Sequence, residues 1–232
     1  MHEFDINKLR VFTDHLESGT NSLSGFKAAV STVSVSLGED FDKIAERAAD
    51  VQKDMNLAFD SKVFGQYLMV QGKVIKATGL SSDTLNKLFL SVKIGSSTEK
   101  EFIDVSEKVG NTLMSLSGKA GVTKTGLDEF ARSIANINQN MIISGASQDQ
   151  WIKAQTQMGR AYEEFGKLGL GPMWLKIQDA IDKAKYGDGA ARELLLKLGV
   201  APKMLVEALQ GGDYEKIIRQ AVSHAKVDSD AQ

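Results

Sequence analysis

Apolar and small residues recur at Phe26, Val30, Val33, Leu37, Phe41, Ile44, Ala48, Val51, Met55 and Phe59, and the series resumes at Val63, Tyr67, Val70, Val74 and Ala77. Most steps alternate between four and three residues, which is the seam of a helix packed lengthwise against another helix. Two places insert four-residue steps that would locally unwind a supercoil. The pattern predicts a long, interrupted, coiled-coil-like helical region over residues 1–78. Gly38, Gly65 and Gly72 each cost about 1 kcal/mol relative to alanine inside a helix, so breaks are expected near Gly38 and near Gly65. Val33, Val35 and Leu37 alternate with serines as a strand would. The clearest helical segment runs from Asp40 to Phe59, with Glu39, Asp40 and Asp42 at the positive end of its dipole. Its apolar positions Phe41, Ile44, Ala48, Val51 and Met55 sit among charged residues such as Glu46, Arg47 and Lys53, and form the expected helix-packing or self-association surface. Upstream, Asp5 can cap a small docking helix with Ile6, Leu9, Phe12 and Leu16 on its apolar face, which Gly19 ends.

From residue 79 the pattern changes to a series of shorter helices, an array over 79–226. A glycine followed by an apolar residue occurs at Gly79-Leu80, Gly121-Val122, Gly169-Leu170 and Gly199-Val200. A left-handed glycine past a helix end, with the next residue folded back on the last turn, is a Schellman stop. Each stop is followed by a start: Ser81 or Ser82 with Asp83, Thr125 with Asp128, Gly171 with Pro172, and Ala201 with Pro202. Thr98 with Glu101 and Ser147 with Gln150 have the spacing of capping boxes. Between these signals lie helical faces such as Leu85, Leu88, Phe89 and Val92, and Leu127, Phe130, Ile134, Ile137 and Met141. The most regular runs from Trp151 through Ala154, Met158, Ala161, Tyr162 and Phe165 to Leu168. Residues 227–232 are expected to fray. The fold class is all-α, long interrupted amphipathic helices followed by an array of shorter ones.

Composition narrows the chemistry. The chain of 232 residues is 42% hydrophobic and 25% charged, ordinary values for a folded soluble protein. Its 28 basic and 30 acidic residues are interspersed, with a formal net charge of -2, so no footprint for sequence-specific nucleic-acid binding is visible. There is no cysteine, which excludes disulfides, thiolate metal sites and cysteine nucleophiles. The first residues have neither a basic head nor an apolar core, so no secretory signal is read there. The longest uncharged stretch, Ser133 to Gln148, falls short of the roughly 20 apolar residues of a bilayer span.

No catalytic, cofactor-binding or metal-binding residue is assigned. His2, His15 and His224 are far apart in sequence and lack a second ligand at helical spacing. Glu163 and Glu164 raise a two-carboxylate glycosidase, but adjacent residues on a helix point about 100 degrees apart. Such a mechanism needs its carboxyl groups facing each other across a cleft, and a solvated flank is the expectation. Gly211-Gly212-Asp213 has no Walker lysine and no preceding strand, which argues against a phosphate cradle. Trp151 and Trp174 are expected as core anchors.

The run Ala77-Thr78-Gly79-Leu80-Ser81-Ser82-Asp83-Thr84-Leu85-Asn86-Lys87-Leu88 and the run from Ala120 to Phe130 (AGVTKTGLDEF) resemble tail tape-measure proteins of bacteriophages, and Leu195 to Leu205 (LLKLGVAPKML) is similar in manner. The resemblance implies a non-enzymatic virion protein of the tail, synthesised in the host cytoplasm and acting in tail assembly and DNA ejection. Its partners would be other tail proteins and further copies of itself, with membrane contact only during ejection. It carries no catalytic residue or cofactor across. Size departs from the family, whose members are usually far longer: 232 residues in one unbroken helix reach about 350 Å. That leaves a fragment, a short relative or another helical virion protein. Two other classes stand beside this expectation, a helical adaptor or scaffold outside a virion and a cell-wall hydrolase.

Overall fold

A computed structural model describes residues 23–55, 62–167, 169–211 and 213–230, which form eleven helices and, among the described residues, no strand. In chain order these are α1 (Leu23–Leu37), α2 (Phe41–Met55), α3 (Lys62–Thr78), α4 (Ser82–Gly95), α5 (Glu99–Leu116), α6 (Lys124–Ile143), α7 (Gln148–Lys167), α8 (Gly171–Lys185), α9 (Gly189–Lys197), α10 (Pro202–Gly211) and α11 (Glu215–Asp230). The fold is all-α. The expected docking helix at Asp5 and its end at Gly19 lie outside the described residues, as do Phe59 and Leu168. Helix α11 continues to Asp230, beyond Val227 where fraying was expected. The chain packs as two compact units, Met1–Lys73 and Val74–Gln232.

In the first unit the seam is divided among three helices. The break at Gly38 occurs as expected, with the glycine at φ 64° directly after α1. Val33 and Leu37 are buried and Val35 is 81% exposed, all on a helix, so the strand alternation is a coincidence of helical spacing. Helices α1 and α2 pack on each other, and Ile44, Ala48, Val51 and Met55 are closed off from solvent while Phe41 is half-buried. The expected break at Gly65 does not occur, because Gly65 lies inside α3. A Cβ there would meet the Ala29 Cβ of α1 at 3.7 Å, an ordinary contact, so the packing of α3 on α1 tolerates this glycine without requiring it. Gly72 differs, since a Cβ would fall 2.2 Å from Leu37 Cδ1 and 3.0 Å from Arg47 Nη1. Close packing thus offsets the helix penalty of Gly72. The buried stripe of α3 starts at Phe64 and continues through Tyr67, Leu68, Gln71 and Val74, whereas Val63 is half-buried and Ala77 exposed. Phe64 meets Phe26 of α1 with ring centroids 6.4 Å apart.

The second unit is built around α6. It packs against α4, α5, α7, α8 and α10, and Leu127, Phe130, Ala131, Ile134, Ile137 and Met141 are all buried. Both caps are present, Glu101 N–H donating to Thr98 Oγ1 at 3.1 Å and Gln150 N–H to Ser147 Oγ at 3.3 Å; Ser147 N–H closes its box on Gln150 Oε1 at 2.7 Å, whereas the Glu101 carboxylate accepts from Ser97 N–H at 2.7 Å. Ser81 caps α4, with its hydroxyl accepting from Thr84 N–H at 3.1 Å. Helix α6 begins earlier than expected, capped by Thr123 through Gly126 N–H at 3.0 Å instead of by Thr125. Asp128 instead accepts from the Thr84 hydroxyl of α4 at 2.5 Å and from Arg132 Nε at 2.8 Å. The stops at Gly169 and Gly199 have the Schellman bonds, Leu170 N–H to Phe165 O at 2.8 Å and Val200 N–H to Leu195 O at 2.9 Å.

Gly121 is not the end of α5, which stops at Ser117. It lies in the 117–123 loop with φ 73°, where its backbone presses on the last turn of α7. A Cβ on Gly121 would sit 2.1 Å from Gly166 O, and one on Gly166 would sit 2.6 Å from Ala120 O. Two glycines are required because each backbone occupies the other's Cβ space. Gly121→Ala is expected to cost about 2 to 5 kcal/mol, the sum of a left-handed residue and overpacking. Gly169→Ala, at φ 73° with open space around it, should cost only about 1 kcal/mol. Thermal unfolding of the two variants checks this, since about 1 kcal/mol shifts the midpoint 2–4 °C at this chain length. A second expectation concerns the seam. Placing two carboxylates there by Ile44→Asp with Val51→Asp costs several kcal/mol per charge, enough to unfold the first unit. Unchanged thermal unfolding and unchanged light scattering would show that the seam is not buried.

Candidate functional site

A connected polar arrangement lies where α6 and α8 run side by side. The apolar stripe of α6 faces the core, and Asn140, one position before Met141, is turned toward α8 and buried. Its amide donates to Asp182 Oδ1 and its carbonyl oxygen Oδ1 accepts from the Tyr186 hydroxyl. Lys185 Nζ donates to the Asn140 backbone oxygen at 2.8 Å and to Ser144 Oγ at 3.2 Å. Asp182 and Lys185 lie in the last turn of α8 and Tyr186 is its C-cap, so this end of the helix grips the end of α6. A cleft of about 380 Å³ opens beside this grip, with Glu129, Arg132 and Asn136 of α6 facing Lys176, Asp179 and Asp182 of α8.

Burial and the neighbouring Asp179 push the Asp182 carboxyl above its ordinary value, against hydrogen bonds from Asn140 and Asn136. Burial likewise lowers the Lys185 ammonium, opposed by Asp182. These groups clamp two helices together. The arrangement holds carboxylates, amides and lysines without a histidine or cysteine among them. Among the described residues no group of three or more His, Asp or Glu side chains is placed to hold a metal ion.

The residues singled out in the sequence fall elsewhere. Glu163 is half-buried and paired with Lys167 at 2.9 Å and Lys119 at 3.4 Å, which hold its carboxyl below the ordinary value, and Glu164 is exposed. His2 and His15 lie outside the described residues. His224 is exposed on α11, beside Gly199 and Gln220. Asp213 draws Lys153 Nζ at 2.6 Å and Gln157 Nε2 at 3.2 Å while accepting Glu215 N–H at 3.1 Å, so it joins the start of α11 to α7. Both tryptophans are fully buried, Trp174 against Phe165 with ring centroids 5.4 Å apart. Phe41, Ile44, Ala48, Val51 and Met55 all belong to the first unit's packing described above.

Sequence reasoning missed the Asn140 clamp. Asn140 falls in a run of polar residues whose inward direction depends on the exact phase of α6. It also missed Arg47, which turns inward to pair with Glu39. The spacing of Asn140 and Tyr186 carried no motif, and only the packing of α6 on α8 brings them together.

No described helix is long and apolar enough to cross a membrane. Comparison of the chain with known protein families, with curated proteins and with solved structures returns no match.

The Asp182 carboxyl binds its proton more tightly folded than unfolded. Its contribution therefore favours the folded state most below the ordinary value of 3.8 and is lost as pH rises through the raised value. Asp182→Asn keeps an oxygen for Asn140 and removes the charge. Denaturant titrations across the acid range should show the variant equal to the parent below pH 3.8 and more stable than the parent toward neutral pH. A parent advantage at neutral pH would reverse the sign of this argument.

Proposed function

We propose that this chain is a non-enzymatic structural virion protein, a tape-measure-like component of a phage tail or ejection apparatus that works by shape and association. The observation that carries the reading is the common construction of the two tape-measure-like runs. In the first, Gly79 at φ 70° is followed by buried Leu80, the cap Ser81 and buried Leu85. In the second, Gly121 at φ 73° is followed by half-buried Val122, the cap Thr123 and buried Leu127. The apolar residues fall at the positions before the cap and four after it, which define a hydrophobic staple. The staple fixes the angle at which the chain enters the next helix. A protein whose task is a defined shape uses such corners repeatedly.

The state of Glu163 weighs against a wall hydrolase. A general acid needs a raised carboxyl value, and the two lysines pull Glu163 the other way. Such a tail component would meet other tail proteins and copies of itself. Mass spectrometry of the purified phage particle tests the reading directly, because a structural virion protein is present in stoichiometric amount and a host adaptor is not. Replacing Glu163 and Glu164 with Gln should leave infectivity intact and cost at most about 1 kcal/mol, as surface pairs do. Gly121→Val should impair assembly. Hydrolysis of cell wall by the purified chain, lost in the Gln variant, would replace this reading with the enzyme.

A further inference from the structure

Helices α9 and α10 are joined by a short turn at Gly199, and their facing sides do not close. Leu195, Val200 and Leu205 are buried at the bottom of a groove of about 280 Å³. Leu196 and Val206 stand on its two walls, 54% and 52% exposed. The leucine run 194–198 therefore carries more apolar surface than the core of the second unit takes in. A half-exposed leucine facing a half-exposed valine across an apolar floor gains free energy when a further apolar side chain enters, at roughly 25 cal/mol per Å² covered.

The charge on this groove has one sign. Among the described residues its charged lining residues are Lys185 and Arg192, and no carboxylate lines it. Arg192 donates from Nε to Ala184 O at 3.1 Å, which holds its planar head at the groove edge, and among the described residues it forms no ion pair. Glu193 and Glu207, the carboxylates of α9 and α10, are occupied by Lys197 at 2.8 Å and by Lys203 and Lys216, each at 3.8 Å. A guanidinium presents a fork of donors suited to a carboxylate. The Lys185 ammonium is already engaged by Asn140 O and Ser144 Oγ of α6, which leaves Arg192 as the cation that meets an incoming carboxylate.

We infer that the groove between α9 and α10 is a docking site for an acidic amphipathic segment of a partner protein, which places an apolar side chain over Leu195 and Leu205 and a carboxylate on Arg192. This is recognition of a helix or strand by its apolar anchors, with charge selecting among partners. A tail component and a scaffold protein would both use such a surface, so it stands apart from the virion reading.

The test uses the full chain and two labelled amphipathic peptides, one with leucines on one face and glutamates on the other, and one with lysines in place of every glutamate. The acidic peptide should bind, and its affinity should fall with added salt. The lysine peptide should bind at least tenfold more weakly. Leu196→Asp with Val206→Asp should weaken the acidic peptide tenfold or more at exposed positions that leave the thermal midpoint in place. Arg192→Gln should narrow the preference for the acidic peptide without abolishing binding of either. Equal binding of the two peptides, or an affinity unchanged in the Leu196 and Val206 variant, overturns the inference. So does a dimer of the chain that the same variant dissolves while neither peptide binds, since a second copy would then be the occupant.

Discussion

The backbone contact between Gly121 and Gly166 is the constraint on which the second unit depends. It allows the 117–123 loop to lie on the last turn of α7, and this sets where α6 can begin. Thr123 then caps α6 two residues after the contact, and Tyr162 of α7 comes over its first turn. The Tyr162 hydroxyl occupies the space a Cβ on Gly126 would need, at 2.1 Å, and its ring stacks on Phe130 with centroids 5.4 Å apart and an interplanar angle of 12°. Gly159 admits Thr112 of α5 in the same way, at 3.0 Å. Side chains of ordinary size at any of these points would push α7 away from α5 and α6, and the buried stripe of α6 would lose one of its walls.

With α6 held in this position, its polar residues acquire distinct partners. Asn138 reaches Ser91 of α4 at 3.0 Å, and Asn140 meets the end of α8. Asp128 joins the first turns of α4 and α6 through the Thr84 hydroxyl. These bonds are directional where the apolar contacts are not, so they select one rotation of α6 among several that would bury a similar area. Their stabilisation is modest individually. Their effect is to give the bundle one arrangement.

The same rotation decides what stays outside. Once α8 is clamped to α6 through Asp182, Lys185 and Tyr186, α9 and α10 follow from its end, and Leu196 and Val206 are left on the groove walls. The proposed docking surface is thus a consequence of the clamp. The virion reading draws on a different property, the stapled corners at Ser81 and Thr123, which a chain needs when its geometry is its function.

Local chemistry was legible in the residues themselves. The helical class, the caps at Ser81, Thr98 and Ser147, the break at Gly38 and the left-handed glycines at 79, 169 and 199 depend on interactions within a few residues, and short-range rules reach that far. The apolar faces of α4 to α8 were legible too, because helical period alone places them. Tertiary structure decided everything that depends on what lies across a contact. Gly65 and Gly72 have the composition of breaks and are helix-interior positions, and at Gly72 only the approach of Leu37 from α1 and Arg47 from α2 gives the missing side chain a use. Thr125 has the chemistry of a cap, and Thr123 takes the role because the Gly121 contact delivers the chain to it first. Arg47, Asn140 and Tyr186 show no motif in sequence, and each finds its role in a partner 8 to 46 residues away. Period and capping are properties of one helix, whereas a site is a property of the surfaces that two helices present to each other.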